Sequence, residues 1–220
     1  MYNKSTHLLN NFYALLQAVK FLNGLVEKYE EPKRLEQIKR YTGFGGLKCA
    51  LYFPDLMAGK EDAKANFEAA LGEGIDESLL QSMCNIITRI ATLRNLTPKE
   101  VAESIASSVL TAFYTPQPVI TAVGNAVAHT LEVNGVKMQS FSETSAGIGG
   151  FLPVAMAGCQ KVAFEKDVAT SVILEALHKD TTQVFNAGFE TIDEQRKAHN
   201  LPMFDVAASN IPFGDIKVAD

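Results

Sequence analysis

The chain has 220 residues, 47% of them hydrophobic and 20% charged, which is enough apolar content for one large domain or two small ones. No apolar run approaches the ~20 residues that cross a bilayer, and Met1 to Asn11 carry no signal-peptide core, which points to a cytoplasmic protein without a membrane partner. A net charge of −5 argues against the whole surface being a nucleic-acid cradle.

The charge is unevenly spread. Residues 1–60 hold nine Lys/Arg and five Asp/Glu, whereas the remaining positions hold eleven and twenty. Thr6 to Glu27 places Leu8, Phe12, Leu15, Leu16, Val19 and Leu22 at helical spacing, so a helix is expected there. A second, more polar helix is expected from Pro32 to Arg40. Tyr41-Thr42-Gly43-Phe44-Gly45-Gly46-Leu47 breaks it, because glycines so closely spaced favour a turn with positive φ. Lys33, Arg34, Lys39, Arg40 and Lys48 surround this turn, either as phosphate contacts or as a solvated helix face. Further helices are expected over Lys60–Leu71 and Asp76–Arg94. Thr97-Pro98-Lys99-Glu100 is a capping box with proline at the first helical position, and it opens a helix to about Thr111.

The period then changes. Ala112 to Pro116 reads as a short extended piece in which Thr115 caps a helix from Pro116 to Glu132. Gln139–Glu143, Lys161–Phe164, Gln183–Asn186 and Phe204–Ala208 read as strands, with helices expected over Gly150–Ala157 and Val168–Leu177. Strands alternating with helices imply βαβ units and a parallel sheet. The chain is therefore expected to be α/β, with a helical N-terminal domain over residues 1–110 and an α/β domain over 111–220.

Cys49, Cys84 and Cys159 show no CxxC spacing and read as reduced, mostly buried thiols. The histidines form no cluster: His178 and His199 read as exposed and His129 as a helix position. Neither a metal site nor a Ser/His/Asp or Cys/His nucleophile is indicated.

Two turns carry chemistry. Glu143-Thr144-Ser145-Ala146-Gly147-Ile148-Gly149-Gly150-Phe151-Leu152 follows a strand, and a strand–glycine turn–helix lets backbone amides approach a ligand closely. Its sixth fingerprint place, counted from Gly147, is Leu152, where a dinucleotide site wants Gly or Ala. Glu165 ends the second strand about twenty residues on, where an acid reads the ribose hydroxyls of a nucleoside. The second turn is Asn210-Ile211-Pro212-Phe213, after the fourth strand. The Asn210 amide oxygen and the Ile211 carbonyl can each accept a hydrogen bond from an amino group, drawing density toward a nitrogen that must attack a methyl carbon. Pro212 stiffens the turn and Phe213 offers a face for a base.

These residues together resemble the N6-adenine DNA methyltransferases whose cofactor motif precedes the substrate motif. More closely, Tyr-x-Gly-Phe-Gly-Gly-Leu, Ala-Phe-Tyr-Thr-Pro, Ser-Ala-Gly-x-Gly-x-Phe and Asn-x-Pro-Phe-Gly-Asp are similar to methylase segments of large methylase–helicase proteins of phages and conjugative elements. The resemblance implies a partial Rossmann-like methyltransferase sheet in the strand order 3-2-1-4, with S-adenosylmethionine as cofactor. It implies transfer of a methyl group to the N6 of an adenine flipped out of DNA, in a restriction–modification or mobile-element setting. It places Tyr114, Thr115, Glu143, Ser145, Ala146, Gly147, Ile148, Gly149, Phe151, Glu165, Lys166, Phe189 and Glu190 at the cofactor, and Asn210, Ile211, Pro212 and Phe213 at the catalytic turn. Thr144 and Ile211 stand where the family usually has proline.

The family fold continues beyond the catalytic turn with further strands and a target-recognition region. The chain is therefore expected to be an N-terminal fragment, truncated after the fourth strand. Its turnover would then need a downstream region or a second chain, and its open sheet edge invites homodimer pairing. The alternatives are a cofactor-binding module without activity of its own, or methylation of RNA adenine or protein glutamine.

Overall fold

The computed structural model describes residues 3–26 and 30–211. Among them are nine α-helices and a four-stranded, all-parallel sheet, so the chain is mixed α/β. It divides into two compact units. One holds the described residues up to Ala112 together with Asp167–Leu177, and the other holds Phe113–Lys166 together with the described residues from His178 onward.

The first unit is helical: α1 (Lys4–Leu22), α2 (Glu31–Ile38), α3 (Phe53–Met57), α4 (Ala63–Leu71), α5 (Glu77–Arg94) and α6 (Pro98–Ser108). The starts follow local chemistry. Asn3, Asp76 and Thr97 accept backbone N–H groups at the heads of α1, α5 and α6, and Thr97 with Glu100 forms the expected reciprocal box. A run of edge-on aromatic pairs, Phe12–Phe53, Phe12–Phe44 and Tyr41–Phe44, fills the core, where all four rings are buried. The glycine-rich turn contributes Tyr41, Phe44 and Leu47 to that core, and Gly43 and Gly46 take positive φ. Buried Asn11 anchors the turn, donating to the Gly43 carbonyl at 2.5 Å and accepting the Thr42 N–H at 2.9 Å.

The sheet unit contains α7 (Gln117–Val133), β1 (Ser140–Glu143), β2 (Gln160–Phe164), β3 (Gln183–Phe185), α9 (Ile192–Ala198) and β4 (Val206–Ala207). The order is β3-β2-β1-β4, with Phe141 in register with Lys161 on one side and Val206 on the other. β1 is buried throughout, as a central parallel strand should be. Val162, Phe164 and Leu201 form a buried cluster against Phe185, Ile192 and Phe204, and the Phe164 and Phe185 rings stack at 5.2 Å. Asp205 sets the register of β4, accepting the N–H groups of Gln139 and Ser140 at 2.8 and 2.9 Å. These bonds hold its carboxyl below the usual range.

The chain between β2 and β3 runs through α8 (Val168–His178), a helix buried on most sides. Residues Asp167–Leu177 belong to the first unit, although they fall within the segment expected to form the second domain. The polar side chains of that stretch find partners there: Thr170 meets the Tyr41 hydroxyl at 2.9 Å, Glu175 meets Arg94 at 2.6 Å, and Asp167 accepts the Ser104 hydroxyl at 2.9 Å.

Four expectations need correction. Gly150–Ala157 is not an α-helix: only a 3₁₀ turn at Leu152–Val154 forms, and Ala155 is already extended. The Phe151 N–H donates to the Glu143 carboxylate at 2.9 Å, which ties the start of this segment to the end of β1. Thr115 does not cap α7, whose N-cap is Pro116 with no side-chain bond. The fourth strand is shorter than Phe204–Ala208, although Asp205 and Ala208 still donate to the Ser140 and Ser142 carbonyls at 3.2 and 3.0 Å. His178 is half-buried rather than exposed, and the site explains why. Two further elements gave no apolar period to read: the 3₁₀ helix Lys48–Tyr52 with α3, and the polar α9.

Two members of the basic cluster pair with neighbouring side chains. Arg34 meets Gln17 at 2.5 Å and Glu30 at 3.5 Å, and Lys39 meets Glu36 at 2.6 Å. The three cysteines are free, two of them buried. No helix among the described residues is long and apolar enough to cross a membrane.

Candidate functional site

Parallel strands end on one side, so the segments after β1, β2, β3 and β4 come to one edge of the second unit. β1 lies between β2 and β4, and the order reverses there; ligands of open α/β sheets bind at such a point. The turn after β1 is pinned by the Ala146 N–H, which donates to the Phe164 carbonyl at 2.9 Å, and closed by Gly149 N–H donating to Ala146 at 2.8 Å. Gly147 (φ +56°) and Gly149 (φ +86°) are both left-handed, a conformation side-chain-bearing residues rarely adopt.

Both glycines are also short of space. A Cβ on Gly147 would lie 2.7 Å from the Tyr114 ring, and one on Gly149 would lie 2.7 Å from the His178 ring and from Leu152. His178 Nε2 hydrogen-bonds the Ile148 carbonyl at 3.0 Å, so this ring is held against the turn. Burial keeps its imidazole below the ordinary histidine value. Leu152, which weighs against a dinucleotide fingerprint in the sequence, is thus a packing partner of Gly149.

Glu165 directly follows β2. Its Oε2 accepts the Gly147 N–H at 2.7 Å, which joins the expected ribose acid to the expected cofactor turn. Asn186, after β3, donates to the Glu165 and Lys166 carbonyls at 2.9 and 3.1 Å. Lys166 and Glu190 pair with each other at 2.9 Å on the surface, and the Lys166 ammonium holds the Glu190 carboxyl below its usual value. Phe189 beside them is about half exposed.

Glu143 lies beneath the turn and is 1% exposed. One carboxylate oxygen accepts the Phe151 N–H at 2.9 Å, and the other, Oε2, has no hydrogen-bond partner among the described residues. Burial pushes its pKa up to about 8, and the nearby Glu165 charge adds to the effect. At neutral pH Glu143 is therefore mostly protonated.

The segment after β4 meets this assembly at Ser209 and Asn210. The Asn210 amide nitrogen donates to the Phe113 carbonyl at 3.0 Å, next to Tyr114. Ser209 bonds the backbone of Ser145 through both its donor and its acceptor. Ile211 is half exposed. Pro212 and Phe213 lie outside the described residues. Thr115 is partly exposed and adjoins Tyr114.

Tyr114, Ser145, Ala146, Gly147, Ile148, Gly149, Phe151, Glu143, Glu165 and Asn210 are therefore linked through short contacts, while Lys166 and Glu190 form their own pair. Ser209 and His178 escaped sequence reasoning. Ser209 adjoins a motif but has no motif role, and His178 is thirty residues from the carbonyl it bonds. Among the described residues no group of His, Cys, Asp or Glu is arranged to hold a metal ion. No family model, curated protein or solved structure matches this chain.

Proposed function

We propose that this chain carries the cofactor site and catalytic turn of an S-adenosylmethionine-dependent methyltransferase acting on the N6 of adenine in DNA. The observation that carries this reading is the Glu165–Gly147 bond at 2.7 Å, made at the same sheet edge where Asn210 meets the Phe113 carbonyl. Segments separated by as much as 97 positions meet there, and this supports the reading.

The residues present fit the cofactor. Gly147 and Gly149 form a left-handed turn packed against Tyr114, His178 and Leu152, and a carboxylate fixed on the Gly147 amide suits two ribose hydroxyls. Buried Glu143 has one oxygen, Oε2, without a hydrogen-bond partner among the described residues, which leaves it available to a polar group of the ligand. When bound, S-adenosylmethionine supplies a methyl group on a positively charged sulfur. Asn210 has its amide nitrogen committed to Phe113, so its oxygen is the atom left to accept a proton of the substrate amine. The Ile211 carbonyl accepts the second in this reading. A base in duplex DNA reaches such a turn only when flipped out, and Phe213 would offer the stacking face. DNA sequence choice would come from a target-recognition region or a second chain. The expected compartment is the cytoplasm.

The test is titration calorimetry with S-adenosylmethionine for wild type and Glu165→Ala, followed by labelled-methyl transfer to DNA, RNA and protein. Binding lost in the variant and label on DNA N6-adenine support the proposal. No binding by folded wild type overturns it. Label on RNA or on protein glutamine instead would change the acceptor.

A further inference from the structure

The bridge between the two turns is a side chain to which the reading above gives no role. The β1–β4 ladder ends with the Ala208 N–H donating to Ser142 at 3.0 Å. Beyond it, the Ser209 hydroxyl accepts the Ser145 N–H at 2.9 Å and donates to the Ser145 carbonyl at 3.3 Å. Among the described residues, these two bonds and the Asn210–Phe113 bond are the hydrogen bonds of Ser209 and Asn210. A hydroxyl can serve both groups of one residue because it is at once donor and acceptor. Alanine would leave both unserved.

Ser145 lies two residues before Gly147, within the turn read as the cofactor cradle. Asn210 shares a peptide unit with Ser209. A shift of the cradle backbone is therefore handed through one hydroxyl to the peptide that carries the catalytic amide. We propose that Ser209 is a positioning residue: it clasps the glycine turn and makes the orientation of Asn210 depend on what that turn holds. This rests on the methyltransferase reading of the site.

The test is nuclear magnetic resonance on the full ¹⁵N-labelled chain as wild type, Ser209→Ala and Ser209→Thr, with Asn210→Asp identifying the Asn210 side-chain NH2 signal. Without ligand, Ser209→Ala should speed exchange of the Ser145 amide about fivefold or more, as expected for one lost hydrogen bond. It should also move the Asn210 NH2 signal, leave Ala208 protection unchanged, and be reversed in Ser209→Thr. With S-adenosylhomocysteine, signals of residues 145–149 and of the Asn210 NH2 should both shift in wild type. In Ser209→Ala only the turn signals should shift.

An Asn210 signal that is unmoved in ligand-free Ser209→Ala, or that responds to ligand there as in wild type, overturns the proposal. So does a parallel loss of Ala208 protection, since Ser209 would then merely hold the strand. If the wild-type turn ignores the ligand, the cofactor reading fails, and the ligand-free comparison still decides the clasp.

Discussion

Tyr114 lies against Gly147, with its Cε1 2.7 Å from the place a Cβ on that glycine would take. Two separate penalties thus act on any substitution at Gly147: the left-handed φ of +56° and the collision with a ring. A double-mutant cycle separates them. Gly147→Ala should destabilise by about 1–2 kcal/mol from φ alone, and by more while Tyr114 is present. In a Tyr114→Ala background the ring part should vanish, giving a coupling of about 1–3 kcal/mol in denaturant unfolding. Additive effects would show that the ring swings away freely.

Glu143 gives stability a distinct pH dependence. Its folded pKa of about 8 lies above the ordinary glutamate value of 4.5, so between these values the folded protein holds a proton that the unfolded chain releases. The sign follows: the Glu143 contribution is neutral at low pH, becomes unfavourable as pH rises through 4.5, and levels off above about 8. Glu143→Gln should remove this slope and be more stable than wild type at pH 9, by a few kcal/mol as an order of magnitude. Urea midpoints from pH 5 to 9 check it, and parallel curves would count against a buried carboxyl.

Asp205 acts in the opposite direction. Its carboxyl is depressed below 3.8 by the Gln139 and Ser140 N–H groups, so its stabilisation is full above that value and is lost as pH falls through the lower folded value. Asp205→Asn should lower the unfolding midpoint at pH 7 and converge on wild type in strong acid. The register of β4 depends on the same bonds, so exchange at Ala208 should quicken in the variant.

The helical unit rests on its aromatic run and its caps. Phe53 is fully buried between Phe12 and Phe67, at 5.2 and 5.5 Å. Phe53→Ala should cost about 3–5 kcal/mol, and Thr97→Ala, which opens the capping box of α6, about 1 kcal/mol. Thermal unfolding monitored by circular dichroism would rank the two, and a cost at Phe53 no larger than at Thr97 would mean that the ring is poorly packed.

Local chemistry was readable in the sequence wherever the deciding atoms lie within a few residues. Thr97 and Glu100 are three apart, so their box was legible. The helical spacing of Leu8, Phe12, Leu15 and Val19 and the strand–turn order around Gly147 were legible for the same reason. Gly147, Glu165 and Asn210 stand out in the sequence by chemical type and place, and the structure bonds Gly147 to Glu165 and Asn210 to Phe113.

Tertiary structure decided what depends on distant atoms. Residues 150–157 form only a 3₁₀ turn at Leu152–Val154, and the Phe151 N–H there is bonded to Glu143, eight positions back in β1. Glu143 acquires its raised pKa only where water is excluded. The positive φ of Gly149 needs only a turn, but its lack of space comes from His178, on a helix after the next strand. Asp167–Leu177 joined the helical unit because Tyr41, Arg94 and Ser104 lie there to satisfy its buried polar groups. The link from Ser145 to Ser209 spans 64 positions. Sequence periodicity describes which face a residue shows, whereas such bonds depend on which chain segments the sheet order makes neighbours.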